Sequence, residues 1–213
     1  MQVFRQAVEG FAPRSALREL FCVWRTPDGV RTPLVTLDIT LWQRNGGETY
    51  APQHEGAFID APVQIWMTKL GTISQYVSPS STPGLITPMV VVEPESEALL
   101  DVLPNWSASG VVAKDDLKAD LEVTVLSQVD IPGIIRELAV PRTYPEPGCE
   151  ALTMLLKLST SIVSPSVFGA PVVLAERPDR LVGMLLTGQV DPQTGYTYAQ
   201  CYPAYDVAQW MEG

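Results

Sequence analysis

Ser166–Gly188 reads SVFGAPVVLAERPDRLVGMLLTG. Gly169-Ala170-Pro171 turns the chain into Val172-Val173-Leu174, and Glu176–Arg180 is a polar turn whose Pro178 has no place in a central strand. Leu181–Leu186 is a second apolar run. Two short Val- and Leu-rich runs on either side of turn chemistry predict a β-hairpin. Gly183, inside the second run, marks a point where another backbone or a ligand comes close.

The rest of the chain has the same texture. It is 213 residues long, enough for one large domain or two small ones, and 46% hydrophobic, enough for a substantial core. Prolines (19) outnumber glycines (15), and runs such as Val90–Val92 and Leu121–Leu126 favour short strands joined by turns over long helices. The apolar runs fall short of a bilayer span, so a soluble protein without membrane contact is expected. A net charge of −10 argues against sequence-independent nucleic-acid binding, which needs clustered Lys and Arg. Cys22, Cys149 and Cys201 are odd in number and widely spaced, which is no disulfide framework. The opening MQVFRQAVEGF is not a secretory signal, and together these point to the cytoplasm. No Gly-rich phosphate loop and no zinc-type ligand spacing occurs, so neither cofactor nor metal is expected.

In chain order, residues 1–20 suit one or two short helical turns that pack on the body, with Ser15 a candidate N-cap. Two apolar runs around Arg25-Thr26-Pro27-Asp28-Gly29 predict a hairpin: proline fixes one corner and glycine allows φ above zero at the next. His54, the sole histidine, lies in the polar segment Asn45–Gly56 and reads as a solvated loop residue, with a general base as the sharper alternative. Ala61–Thr68 and Gly84–Val92 read as strands, and the Ser/Pro-rich Tyr76–Pro83 between them as a connection or a binding loop. Asn105–Gly110 is a small, polar crossover. Val111-Val112 and the alternating Leu121–Leu126 predict an antiparallel pair, which Ile131–Val140 can join. Ala151–Leu158 is strand or helix. Tyr196–Tyr202 is the last strand, and Tyr205–Met211 is a helix whose Val207, Trp210 and Met211 face the body.

Ser166-Val167-Phe168-Gly169-Ala170-Pro171-Val172 resembles the nucleophile loop of trypsin-like serine proteases, a Gly-x-Ser-Gly-(small)-Pro-(aliphatic) corner followed by a glycine-containing strand, here Leu181-Val182-Gly183-Met184. Leu34-Val35-Thr36 is similar to the strand that delivers that family's catalytic histidine, and Ala98-Leu99-Leu100 to the strand carrying its carboxylate. The local alternative for Ser96–Pro104 is an acidic turn leading into a short helix. The resemblance implies an all-β fold of two six-stranded antiparallel barrels with a short C-terminal helix. It divides the chain into a lead-in (1–19), a first barrel (20–104) and a second barrel with the helix (105–213).

The same alignment puts Ile39 at the histidine position, Ser96 at the aspartate position and Phe168 at the nucleophile position. None of the three can perform the step its position requires. Glu97 is no free replacement for the aspartate, because a shift of one residue on a strand reverses the face. The implied function is that of a catalytically inactive protease homologue, a pseudoprotease that binds a protein or peptide in the groove between barrels, around Phe168, Gly169, Ala170 and Gly183. A structural subunit of a virion or other large assembly is the alternative. An active serine hydrolase using Ser166 and His54 is the second, and the oligomeric state is left open.

Overall fold

A computed structural model describes residues 2–3, 20–36, 62–65, 68–77, 89–103, 105–127, 129–143, 150–160, 167 and 169–212. The hairpin at Ser166–Gly188 is present as β11 (Pro171–Leu174) and β12 (Leu181–Val190), antiparallel, with Val172 opposite Gly183. Four further strands complete its sheet: β8 (Glu122–Val125), β9 (Ile131–Thr143), β10 (Glu150–Leu158) and β13 (Thr197–Pro203). They close into a six-stranded barrel in the order β10-β13-β12-β11-β8-β9, antiparallel throughout. Alternation fills it: Val123 and Val125 of β8, Met154, Leu156 and Leu158 of β10, and Ala199 and Cys201 of β13 point inward and are buried.

The first sheet has seven strands: β1 (Gln2–Val3), β2 (Leu20–Arg25), β3 (Arg31–Thr36), β4 (Pro62–Ile65), β5 (Thr68–Val77), β6 (Met89–Pro94) and β7 (Asn105–Trp106). Their order is β1-β4-β5-β6-β3-β2-β7, and only β2–β7 is parallel. Among the described residues this sheet is open, so of the two barrels expected one is shown closed. The β2–β3 turn forms as its chemistry dictates: Gly29 takes φ +88° and donates to the Thr26 carbonyl at 2.9 Å. Gln2–Val3 pairs with β4 as a strand; the rest of the lead-in, where helical turns and the Ser15 cap are expected, lies outside the described residues.

The strand β12 explains why Leu181–Leu186 is apolar without alternation. Val182 and Leu185 face the barrel core, while Leu181 and Met184 face a second core. That second core takes Trp24 and Leu34 from the first sheet, Trp106 and Val111 from the crossover, and Tyr202, Ala204 and Val207 from the chain's end. A strand buried on both faces needs a continuous apolar run. The helix α1 (Ala204–Glu212) packs Val207, Trp210 and Met211 against this core, as the spacing predicted.

Val111 does not pair with Leu121–Leu126. It bridges Leu181 in parallel, and Val112 donates to the Leu181 carbonyl at 2.9 Å. The expectation failed because apolar neighbours in sequence need not be neighbours in a sheet. Leu121–Leu126 lies instead between β9 and β11. Ala151–Leu158 resolves as strand, in β10, and Asn105–Trp106 joins the first sheet beside β2. Among the described residues no helix is long and apolar enough to cross a membrane.

Candidate functional site

The corner that enters β11 is the best-defined part of the proposed groove. Gly169 has φ +97°, a left-handed conformation that a side chain would strain. Its N–H donates to the Leu185 carbonyl at 2.6 Å, the Ala170 N–H donates to the Val167 carbonyl at 3.1 Å, and Leu185 N–H donates back to Ala170 at 2.9 Å. Ala170 is fully buried. The corner therefore pins β12 to β11, and its amides serve the barrel itself. Gly183 sits where β12 meets β13: a Cβ there would lie 2.2 Å from the Tyr202 carbonyl oxygen and 2.6 Å from Cys201 Sγ. The close approach read from the sequence is that of a neighbouring backbone.

Beyond this corner the pairing of β12 changes. Up to Leu185 it is flanked on both sides. From Thr187 onward β13 flanks it on one side, with Thr187 opposite Gln200, Gly188 opposite Ala199 and Gln189 opposite Tyr198. Among the described residues no strand flanks Thr187–Gln189 on the other side.

Ser96 precedes a 3-10 helix, Glu97–Val102, as its N-cap, and its hydroxyl accepts from the Ala98 N–H at 3.3 Å. It is exposed. Of the two readings of this segment, the acidic turn leading into a short helix is the one the backbone adopts. Glu97 is committed elsewhere: its carboxylate meets the Arg31 guanidinium at 2.8 Å, and Asp101 meets the same guanidinium. Those two carboxylates, Asp101 foremost, hold the Arg31 pKa above its ordinary value. Ile39, Phe168, His54 and Ser166 lie outside the described residues. So do the segments 45–56 and 78–83.

Sequence reading missed two elements near the junction of sheet and barrel. Arg180, read only as part of a polar turn, donates through Nη1 to the Ser109 carbonyl (2.6 Å) and through Nη2 to the Val111 carbonyl (2.7 Å), clamping the crossover to the barrel. Asp206 in the first turn of α1 is half-buried, and burial pushes its carboxyl up to about 6 against the opposing pull of Lys114 and a hydrogen bond from Tyr202. Ser109, Val111 and Lys114 lie far in sequence from the residues they meet, so no local signal for those contacts existed. Burial also raises the Cys201 thiol far above its usual range, which makes it inert at neutral pH. Among the described residues no three His, Cys, Asp or Glu side chains converge as metal ligands.

No protein-family model matches the sequence, and no curated protein matches it. Solved structures do match the fold. A glutamic acid specific serine protease, described as using a novel histidine triad in substrate binding, superposes with a TM-score of 0.51 at 8% identity, over 86% of this chain and 86% of that one. Nocardiopsis protease (NAPase) gives a TM-score of 0.51 at 13% identity, over 91% of this chain and 90% of its own. Cellulomonas bogoriensis chymotrypsin aligns at 15% identity over 84% and 81%, with a TM-score of 0.44. At these identities the likeness is one of fold, and the fold is trypsin-like.

Proposed function

We propose that this protein is a catalytically inactive trypsin-like homologue that binds an extended segment of another protein by strand addition. What supports the reading is the trypsin-like fold together with the sequence match that sets Phe168 at the family's nucleophile position. In this reading Ile39 and Phe168 stand where the family keeps histidine and serine, so no group is left there to take a proton or attack a carbonyl. Phe168 fills or reshapes the subsite at the mouth of the groove. The groove lies between the first sheet and the closed barrel. The protein works in the cytoplasm and needs no cofactor.

Main-chain hydrogen bonds supply affinity in such an arrangement, and side-chain pockets along the added strand supply selectivity. Two measurements test it. Incubation with a fluorophosphonate probe and with casein should give neither labelling nor cleavage. Labelling that disappears in Ser166→Ala would establish a serine hydrolase instead. Amide exchange, followed while extended peptides with blocked ends are titrated in, should slow at the amides of one barrel strand. Peptides that bind without protecting those amides would remove the strand-addition reading.

A further inference from the structure

We infer that the outer wall of the barrel holds a site for an ω-amino carboxylate, a ligand with an ammonium at one end of an apolar chain and a carboxylate at the other. The site does not depend on the strand-addition reading above. A cavity of about 370 Å³ opens here, floored by residues 132–134 of β9 and walled by Glu122 on one side and by Lys157 and Tyr196 on the other. Val123, Ile135 and Leu158 are buried in the barrel, so their neighbours Glu122, Ile134 and Lys157 face outward. Ile134 stands between the other two, directly across from Glu122 in β8 and from Lys157 in β10.

The two charges are held apart and unmatched. Lys157 Nζ lies 3.8 Å from the centroid of the Tyr196 ring, which steadies an ammonium without accepting its N–H groups in hydrogen bonds. Among the described residues no carboxylate meets Lys157, and no donor meets the Glu122 carboxylate. Backbone bonds build the frame before a ligand arrives: Ala175 N–H donates to the Glu122 carbonyl at 3.1 Å, and Ser159 N–H to the Pro132 carbonyl at 2.9 Å. A lone anion at Lys157 would be repelled by Glu122 and by a chain of net charge −10, and a lone cation at Glu122 by Lys157. A zwitterion satisfies both. Glu122 and Lys157 stand two strand spacings apart, about 10 Å between backbones. With a hydrogen bond of about 3 Å at each end, the ligand's own charges must be several ångströms apart. An α-amino acid carries both on one carbon and cannot span the gap; a chain of about five methylenes can, and its apolar middle covers Ile134.

The probe is 6-aminohexanoate, titrated into the full chain and followed by nuclear magnetic resonance, with the largest amide shifts expected at Gly133 and Ile134. It should bind about tenfold more tightly than hexanoate or hexylamine, which keep one charge, and than norleucine, which sets both on one carbon. Lys157→Gln and Glu122→Gln should each weaken it about tenfold. Exchanging the pair, Glu122→Lys with Lys157→Glu, should restore binding with the ligand reversed, where either reversal alone abolishes it; circular dichroism confirms that the variants fold. Nα-acetyl-lysine carries the same two charges as the end of a peptide. Tighter binding of that compound assigns the site to chains ending in lysine, and tighter binding of 6-aminohexanoate to the free acid. Failure of 6-aminohexanoate to bind, equal binding of hexanoate or hexylamine, or binding that survives both Gln substitutions overturns the inference and leaves the strand-addition reading standing.

Discussion

Asp206 is the residue whose environment makes the sharpest prediction. Its carboxyl is raised by burial from the ordinary 3.8 to about 6. In the folded state the proton is therefore held more tightly than in the unfolded chain. Between pH 3.8 and 6 folding takes up a proton, so stability falls as pH rises through that window, and the full penalty is present above it. Two pKa units would be about 3 kcal/mol; with the group nearly half in solvent, screening reduces this to about 1 kcal/mol. Asp206→Asn should raise the melting temperature at pH 7.5 by about 3 °C and leave it unchanged at pH 3.5, measured by differential scanning calorimetry. Gly183 is a second such position. Alanine there sets a methyl 2.2 Å from the Tyr202 carbonyl, so Gly183→Ala should give chiefly insoluble protein on expression. Sequence alone indicated that something comes close to Gly183. That it is the backbone of β13 depends on a pairing 20 residues away.

At the scale of elements, legibility followed the range of the interaction. The β2–β3 and β11–β12 hairpins were readable because a Pro-Asp pair, followed by glycine in the first of them, decides a turn locally. The short helix after Ser96 was readable as one of two options, since an N-cap serine and an acidic first turn suit a helix start as well as a strand end. The partner of Val111 was not, because a parallel bridge to Leu181 is set by the crossover's path and not by its composition. Arg180 enforces that path from outside: it satisfies the carbonyls of Ser109 and Val111, which otherwise lose a charged donor. Arg180→Ala should cost about 2 kcal/mol, visible as a lower urea midpoint with an unchanged slope. A change in slope would mean instead that the crossover detaches before the rest unfolds.

The whole molecule is organised around a core that belongs to neither sheet alone. Trp24 and Leu34 arrive from the first sheet, Val173, Leu181 and Met184 from the barrel, and Val207 from the closing helix, all nearly inaccessible to solvent. Each side chain of that size contributes about 1.5–3 kcal/mol on burial, so separating sheet from barrel would expose several such contributions at once. Neither half can then remain folded while the other melts. One cooperative unfolding transition is expected, with tryptophan fluorescence, which reports Trp24 and Trp106 in this shared core, coinciding with far-ultraviolet dichroism, which reports both sheets. Met184→Ala, at the centre of the junction, should lower stability by about 2–5 kcal/mol and keep the two probes coincident. Two separated transitions in the unmodified protein would show that sheet and barrel are independent folding units. In that case the groove proposed between them would be a hinge, and a segment bound there would have to hold the two halves together.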